Sequence, residues 1–233
     1  MIKSRHVLNE EKQENIFWMT MTDLLMGLAI IFIVLFILAM TGFSQAKLQE
    51  QNLKSEVAQD LIKELKSKNI NAQVDLTTGT VKLSDLQLFE VGSYNLSESG
   101  KAFLNRFVPA YLNVIFENSK ISDKIVNIVI QGHTDSQLFA NVESKDLQFI
   151  RNMELSTNRA NEVAKYMFST PYNKKYSNTL HKILVVEGKS YSEPVIVDGK
   201  EDYAKSRRVE LKLVVKSSNL QDFMGLKNNE FNR

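Results

Sequence analysis

The 233-residue chain has no cysteine, which excludes disulfide bridges and thiolate chemistry, catalytic or metal-binding. Its three histidines, His6, His133 and His181, are too scattered for a dedicated metal site. A charge of one sign is also missing. Twenty-nine basic and 27 acidic side chains leave a net charge of +2, too small to argue for a nucleic-acid partner. Zinc-finger and P-loop patterns, basic stripes with interleaved aromatics and internal repeats are all absent. With no nucleophile and base in a recognisable constellation, no enzyme and no cofactor are expected.

Charge is nearly absent from one stretch. Between Ile16 and Phe43, "IFWMTMTDLLMGLAIIFIVLFILAMTGF" carries a single ionisable side chain, Asp23. About 20 helical residues cross a ~30 Å hydrocarbon layer, so this run is long enough to span a bilayer. It is longer than the apolar part of a signal peptide, and no cysteine follows it to anchor a lipoprotein. An aspartate inside such a helix costs about 2.5–3.5 kcal/mol on insertion scales. Trp18 suits a membrane interface, and five helical residues place Asp23 about 7–8 Å further in. A carboxylate at that depth reads as an ion or proton site, or as half of a buried pair, facing other protein. Thr20 and Thr22 flank it and could supply hydroxyls. The flanking charges do not orient the span: Lys3, Arg5 and Lys12 precede it, while Lys47 and Lys54 follow.

From Gln45 to Asn69 the sequence is polar and lacks Gly and Pro, with Leu53, Val57, Leu61 and Leu65 four residues apart. This spacing predicts an amphipathic helix. It either pairs with a second copy or packs on its own domain, and the pattern leaves both open. Beyond it, "AQVDLTTGTVKLSD" predicts two short strands around a turn. "LSESGKAFLNRFVPAYLNVIF" predicts a helix capped by Ser97 or Ser99, and "KIVNIVIQGHTD" a buried strand ending in a glycine turn. "LSTNRANEVAKYMF" predicts a helix with Ser156 as N-cap, and "HKILVVEGKS" and "RRVELKLVV" two more strands. The order β-α-β-α-β-β predicts an α+β domain with its helices on one face of a mixed sheet.

"GHTD" at 132–135, "NMELSTNRANEV" at 152–163, "EGKSYSEPV" at 187–195 and "SRRVEL" at 206–211 resemble, in order, the motifs of OmpA-like peptidoglycan-binding domains. "LFEVGSYNLSESGKAFLNRF" at 88–107 resembles the opening of that domain. Joined to "FWMTMTDLLMG", the arrangement is similar to the B subunits of ion-driven stator motors, of the MotB type and, more closely, the ZorB type of Zorya anti-phage defence. The sequence departs from the OmpA-like pattern in a longer segment, "SQLFANVESKDLQFIR" at 136–151, and in Ser206 where Asn commonly precedes the two arginines.

The resemblance implies that Asp135 and Arg159 clamp the diaminopimelate of the peptidoglycan stem peptide, the carboxylate taking its ammonium and the guanidinium its carboxylate. By the same match Thr134, Asn152, Leu155, Ser156 and Arg208 line or support the pocket; His133 is open between that role and a structural one. Asp23 becomes the ion carrier, for H+ or alternatively Na+. The partners implied are a MotA/ZorA-like multi-span membrane subunit forming a ring, a pentamer, around a homodimer of this chain, and peptidoglycan. Since peptidoglycan is periplasmic, the expected order is a cytoplasmic N-terminus (1–15), an inner-membrane helix (16–43), a helical periplasmic linker (44–71), the OmpA-like domain (72–216) and a tail (217–233). A flagellar stator role, a passive wall tether and an energiser of ExbD or TolR type are the alternatives.

Overall fold

A computed structural model describes residues 2–216 apart from 91, 141 and 143, with 2–15 and 120 described as backbone only. The tail expected at 217–233 lies outside the described residues. The first helix, α1, runs Ile2–Ser67. Two compact units divide within it, after Leu48, and the second unit is Gln49–Ser217. In the first unit every side chain from Ile16 to Thr41 is exposed, the large apolar ones included. Among the described residues α1 holds the one helix long and apolar enough to cross a membrane.

The second unit begins with the last turns of α1. Val57, Ala58, Leu61 and Leu65 are buried there, and Val57, Leu61 and Leu65 join the domain core, with Leu53 packed against it. Of the two readings the pattern left open, the structure thus displays packing on the chain's own domain. The hairpin β1 (Gln73–Val74) and β2 (Val81–Ser84) follows. Its turn is closed by the Asp75 carboxylate, which accepts from the backbone N–H groups of Thr77 and Thr78 at 2.9 and 3.0 Å. Gly79 there has a φ of +68°, and a Cβ on it would lie 3.2 Å from the Lys54 carbonyl of α1. Glycine suits both demands.

After a short α2 (Asp85–Leu88) comes α3 (Glu98–Glu117), started by Ser97, whose hydroxyl accepts from the Gly100 N–H at 3.0 Å. Its buried face includes Phe103, Phe107 and Tyr111, which stack at 5.5 Å intervals, as i, i+4 spacing allows. A single turn, α4 (Ser119–Ser122), leads to β3 (Ile125–His133). Next come α5 (Lys145–Ser169), α6 (Ser177–Ile183), β4 (Leu184–Gly188), a hairpin of β5 (Ile196–Val197) and β6 (Lys200–Glu201), α7 (Tyr203–Ser206) and β7 (Arg208–Val215). The main sheet has the order β1-β2-β7-β3-β4, parallel only between β3 and β4. The α+β class and the mixed sheet are therefore as expected.

Three local expectations need correction. Ser156 is not an N-cap but lies in the middle of α5, which begins at Lys145. The cap is Ser144, whose Oγ accepts from the Leu147 N–H, and Asp146 complements the helix dipole in the first turn. Residues 145–151 of the 136–151 segment are consequently helix. Finally, Gly132 is no turn residue. It is paired inside the sheet with Gly188. A Cβ on Gly132 would sit 1.9 Å from the Ser156 carbonyl oxygen, and one on Gly188 2.0 Å from Thr157 Oγ1. This glycine pair lets α5 lie close against the sheet, and one turn after Ser156 it delivers Arg159.

Candidate functional site

In the first unit Asp23 is exposed on the apolar face of α1. Neither threonine hydroxyl is turned to it: Thr20 donates to the carbonyls of Ile16 and Phe17 at 3.1 and 2.9 Å, and Thr22 to that of Trp18 at 2.7 Å. Such back-bonding satisfies a hydroxyl within its own helix and leaves the carboxylate free for other partners.

The second unit gathers charges where β2 and β3 end and β7 begins. Asp135 follows β3 and Arg159 projects from α5, yet each has a different immediate partner. Arg159 Nη2 lies 3.0 Å from Asp85 Oδ1, while Asp135 Oδ2 accepts from Arg207 Nη1. Arg207 Nε is in turn 3.8 Å from Asp85 Oδ2. Two acids and two bases thus alternate in one group. Arg159 also donates through Nε to the Ser93 carbonyl at 3.0 Å and lies over the Phe89 ring, 5.4 Å from its centre. Burial raises the Asp85 carboxyl above its ordinary range, against the pull of Arg159 and Arg207. Burial also lowers the Arg159 guanidinium, with Asp85 opposing. Removing any one member would leave a partner buried without its countercharge.

Around this group, Thr134 donates its N–H to the Ser190 carbonyl at 2.9 Å, and its buried hydroxyl has no partner among the described residues. Asn152 is buried and donates to the Gln148 carbonyl at 3.0 Å. Ser156 bridges α5 to the turn after β4: its Oγ donates to the Met153 carbonyl at 2.9 Å and accepts from the Ser190 N–H at 3.0 Å. Leu155 is half-buried. Arg208 is not brought to the group. It pairs with Glu210 and donates to the Glu193 and Ser206 carbonyls at 3.2 and 3.1 Å. Ser206, standing where Asn is common, has a different partner: its hydroxyl accepts from the Val195 N–H at 3.0 Å.

Reading the sequence missed Asp85 and Arg207. Arg207 is the first arginine of "SRRVEL", and Arg208 opens β7 opposite His133. Adjacent residues at a strand's start point to opposite sides, so only one of the two could face Asp135. That alternation was the available signal. Asp85 has none nearby, because its nearness to Arg159 depends on how α5 crosses the sheet.

The charge group, the sheet order and the α5 packing define the class of protein: the chain belongs to the OmpA family, whose sequence profile matches residues 88–208. Along nearly its whole length it is similar to Zorya protein ZorB of Escherichia coli strain Crooks, with 28% identity over 224 residues, 89% of this chain and 91% of the relative. A second Zorya protein ZorB, from an ETEC strain of Escherichia coli, is 24% identical over 231 residues, 93% of this chain and 84% of that one. A solved MotB-like protein from Desulfovibrio vulgaris shares the fold at a TM-score of 0.50 and 20% identity, covering 73% of this chain and 95% of its own. The chain thus carries an apolar N-terminal helix ahead of its OmpA-family domain, and the similarity to ZorB runs through both.

Proposed function

We propose that the chain is the B subunit of a proton-driven, stator-like motor of the inner membrane, anchored to peptidoglycan and acting in anti-phage defence of the Zorya kind. One observation carries this reading: a single acidic side chain on an uncovered apolar helix, joined to an OmpA-family domain, in a chain that aligns with ZorB through both parts. Uncovered apolar surface of that length calls for lipid and for other helices. Asp23 on it calls for a protein neighbour that can share its proton. A multi-span A-type subunit forming a ring around two copies of this chain would supply that neighbour.

In this mechanism Asp23 takes a proton from the periplasmic side and releases it toward the cytoplasm. Protonation removes the desolvation cost of the carboxylate and changes which ring surface the helix prefers, so alternate charging drives stepwise rotation. Each charge crossing ~100 mV supplies about 2.3 kcal/mol, several times RT. The charge group around Asp135 and Arg159 holds the ammonium and carboxylate of the wall's stem peptide and keeps the domain still. On this reading the domain lies in the periplasm and residues 1–15 in the cytoplasm.

The test is Asp23→Asn, in a chain co-expressed with a multi-span A-type subunit. An amide cannot exchange a proton. The complex should purify intact, while proton flux into liposomes and protection of cells from phage fall to background. A variant complex that conducts like wild type would sink the mechanism. Flux sustained by sodium alone would correct the ion, and a flagellar gene neighbourhood with loss of motility would correct the role.

A further inference from the structure

The outward side of β2 and the segments beside it enclose a cavity of about 360 Å³, a size that holds small ligands. Val81 and Leu83 are buried in the core, so Lys82 and Ser84, which alternate with them, look out to this side. Residues 71–73, at the entry to β1, form one wall, and Gln87 fixes it by donating from Nε2 to the Asn71 carbonyl at 3.1 Å. Part of α7 forms another.

Four cations line the cavity and no acid does: Lys82, Lys205, Arg207 and Arg208. Three of them are engaged elsewhere. Lys205 pairs with Asp202 at 2.9 Å, Arg207 with Asp135, and Arg208 with Glu210. Lys82 forms no ion pair among the described residues, and its charge acts on Asp75 only through space. Glu210, opposite Lys82 across the β2 and β7 pair, is already held by Arg208 and Lys212. A cleft lined by one sign of charge concentrates ions of the other.

We infer that this cavity is a second subsite, for an anion, in which Lys82 receives the carboxylate at the free end of a stem peptide. This rests on the wall-binding reading above. Arg207 joins the two places, since it lines the cavity and also meets Asp135. The stem runs on past diaminopimelate by about 3.3–3.6 Å for each extended residue and ends in a carboxylate. The ligand thus brings Lys82 the countercharge that the fold does not supply. Lys82 is half-buried, so the pair is only partly screened by salt.

The full chain in detergent is titrated with two fluorescent muramyl tetrapeptides ending in D-alanine, one as the free acid and one as the terminal amide. Both keep the diaminopimelate zwitterion, so the charge group meets the same partner in each. Wild type is expected to bind the acid about fivefold or more tightly, as a charged hydrogen bond is lost in the amide. Lys82→Gln should cancel this preference, Lys82→Glu should reverse it, and Lys82→Arg should keep it. Lys63→Gln, at an exposed position of α1 outside the cavity, should keep it as well.

Equal binding of the two peptides by wild type would overturn the subsite and leave wall binding standing. A preference that survives Lys82→Gln, or one lost equally in Lys63→Gln, would also overturn it. Should wild type bind neither peptide, the wall-binding reading falls, and the subsite with it. The comparison of acid and amide on wild type decides the matter even if a Lys82 variant does not fold.

Discussion

At the scale of single residues, His133 shows how burial decides chemistry. It is 1% exposed, and neither ring nitrogen has a hydrogen-bond partner among the described residues. Glu210 Oε2 lies 3.9 Å from Nε2, but Arg208 and Lys212 already engage that carboxylate. Burial, helped by Arg208, holds the imidazole down to about 3, so near neutral pH it is uncharged and its contact with Glu210 is no ion pair. An unfolded imidazole takes its proton near the ordinary value of about 6.5. Between the two values the unfolded chain binds more protons, and stability falls as the pH drops below about 6.5. From pH 7.5 to 5 the expected loss is about 2 kcal/mol, at about 1.4 kcal/mol for each of roughly 1.5 pH units. Asp85, whose carboxyl is raised by burial, contributes in the opposite sense as the pH falls. Urea denaturation at both pH values checks this, and His133→Gln should flatten the difference. An undiminished slope in that variant would assign the acid sensitivity to other groups. The sequence left His133 open between pocket and core because its surroundings are set by β7, far along the chain.

At the scale of elements, the end of α1 and the start of α5 carry the main surprises. The spacing of Leu53, Val57, Leu61 and Leu65 identifies a helix with one apolar face, but a helical pattern says nothing of what covers that face. In the fold the stripe completes the core of the domain it precedes, so its loss should be felt as instability before any loss of coupling. Leu61→Ala, at a fully buried position, should cost about 2–5 kcal/mol of domain stability by denaturant titration. Leu86→Ala, at a position 63% exposed, should cost within about 0.5 kcal/mol. Equal effects would mean that the stripe is not core. The early start of α5 was concealed differently. "SKDLQFIR" has a cap and no breaker, but its polar composition also suits a loop. Its helical state is supported by Gln148, which accepts from the Phe139 N–H at 2.8 Å and donates to the carbonyls of Phe139 and Val142 at 3.0 and 2.7 Å.

For the whole molecule, the consequence concerns where the wall-binding part begins. A fragment of residues 72–216, the extent suggested by the motifs, omits Val57, Leu61, Leu65 and Ile70, all buried core residues. At about 1.5–3 kcal/mol each, their burial is comparable with the net stability of a small domain, about 5–15 kcal/mol. The fragment 49–217 should therefore unfold in one cooperative step, whereas 72–216 should bind a hydrophobic dye and melt broadly. Identical melting curves would show that the end of α1 is dispensable. Pull-down on sacculi is best made with the longer fragment once it passes this test.

Local pattern by itself determined the apolar helix and its one acid, the α+β succession, and the positions of Asp135 and Arg159 within ordered motifs. Each of these depends on residues near one another in the chain: unbroken hydropathy, the two periodicities, and turn and cap residues. Tertiary structure alone decided which charges meet. Asp85 opens α2 and Arg207 precedes β7. They share the site because β2 pairs with β7, and β7 with β3, which carries the ends of these strands to one place. The Gly132 and Gly188 contact then sets the depth at which α5 presents Arg159. Pairing across the sheet joins segments that no short-range pattern connects, so the immediate partners within the site were legible only in the fold.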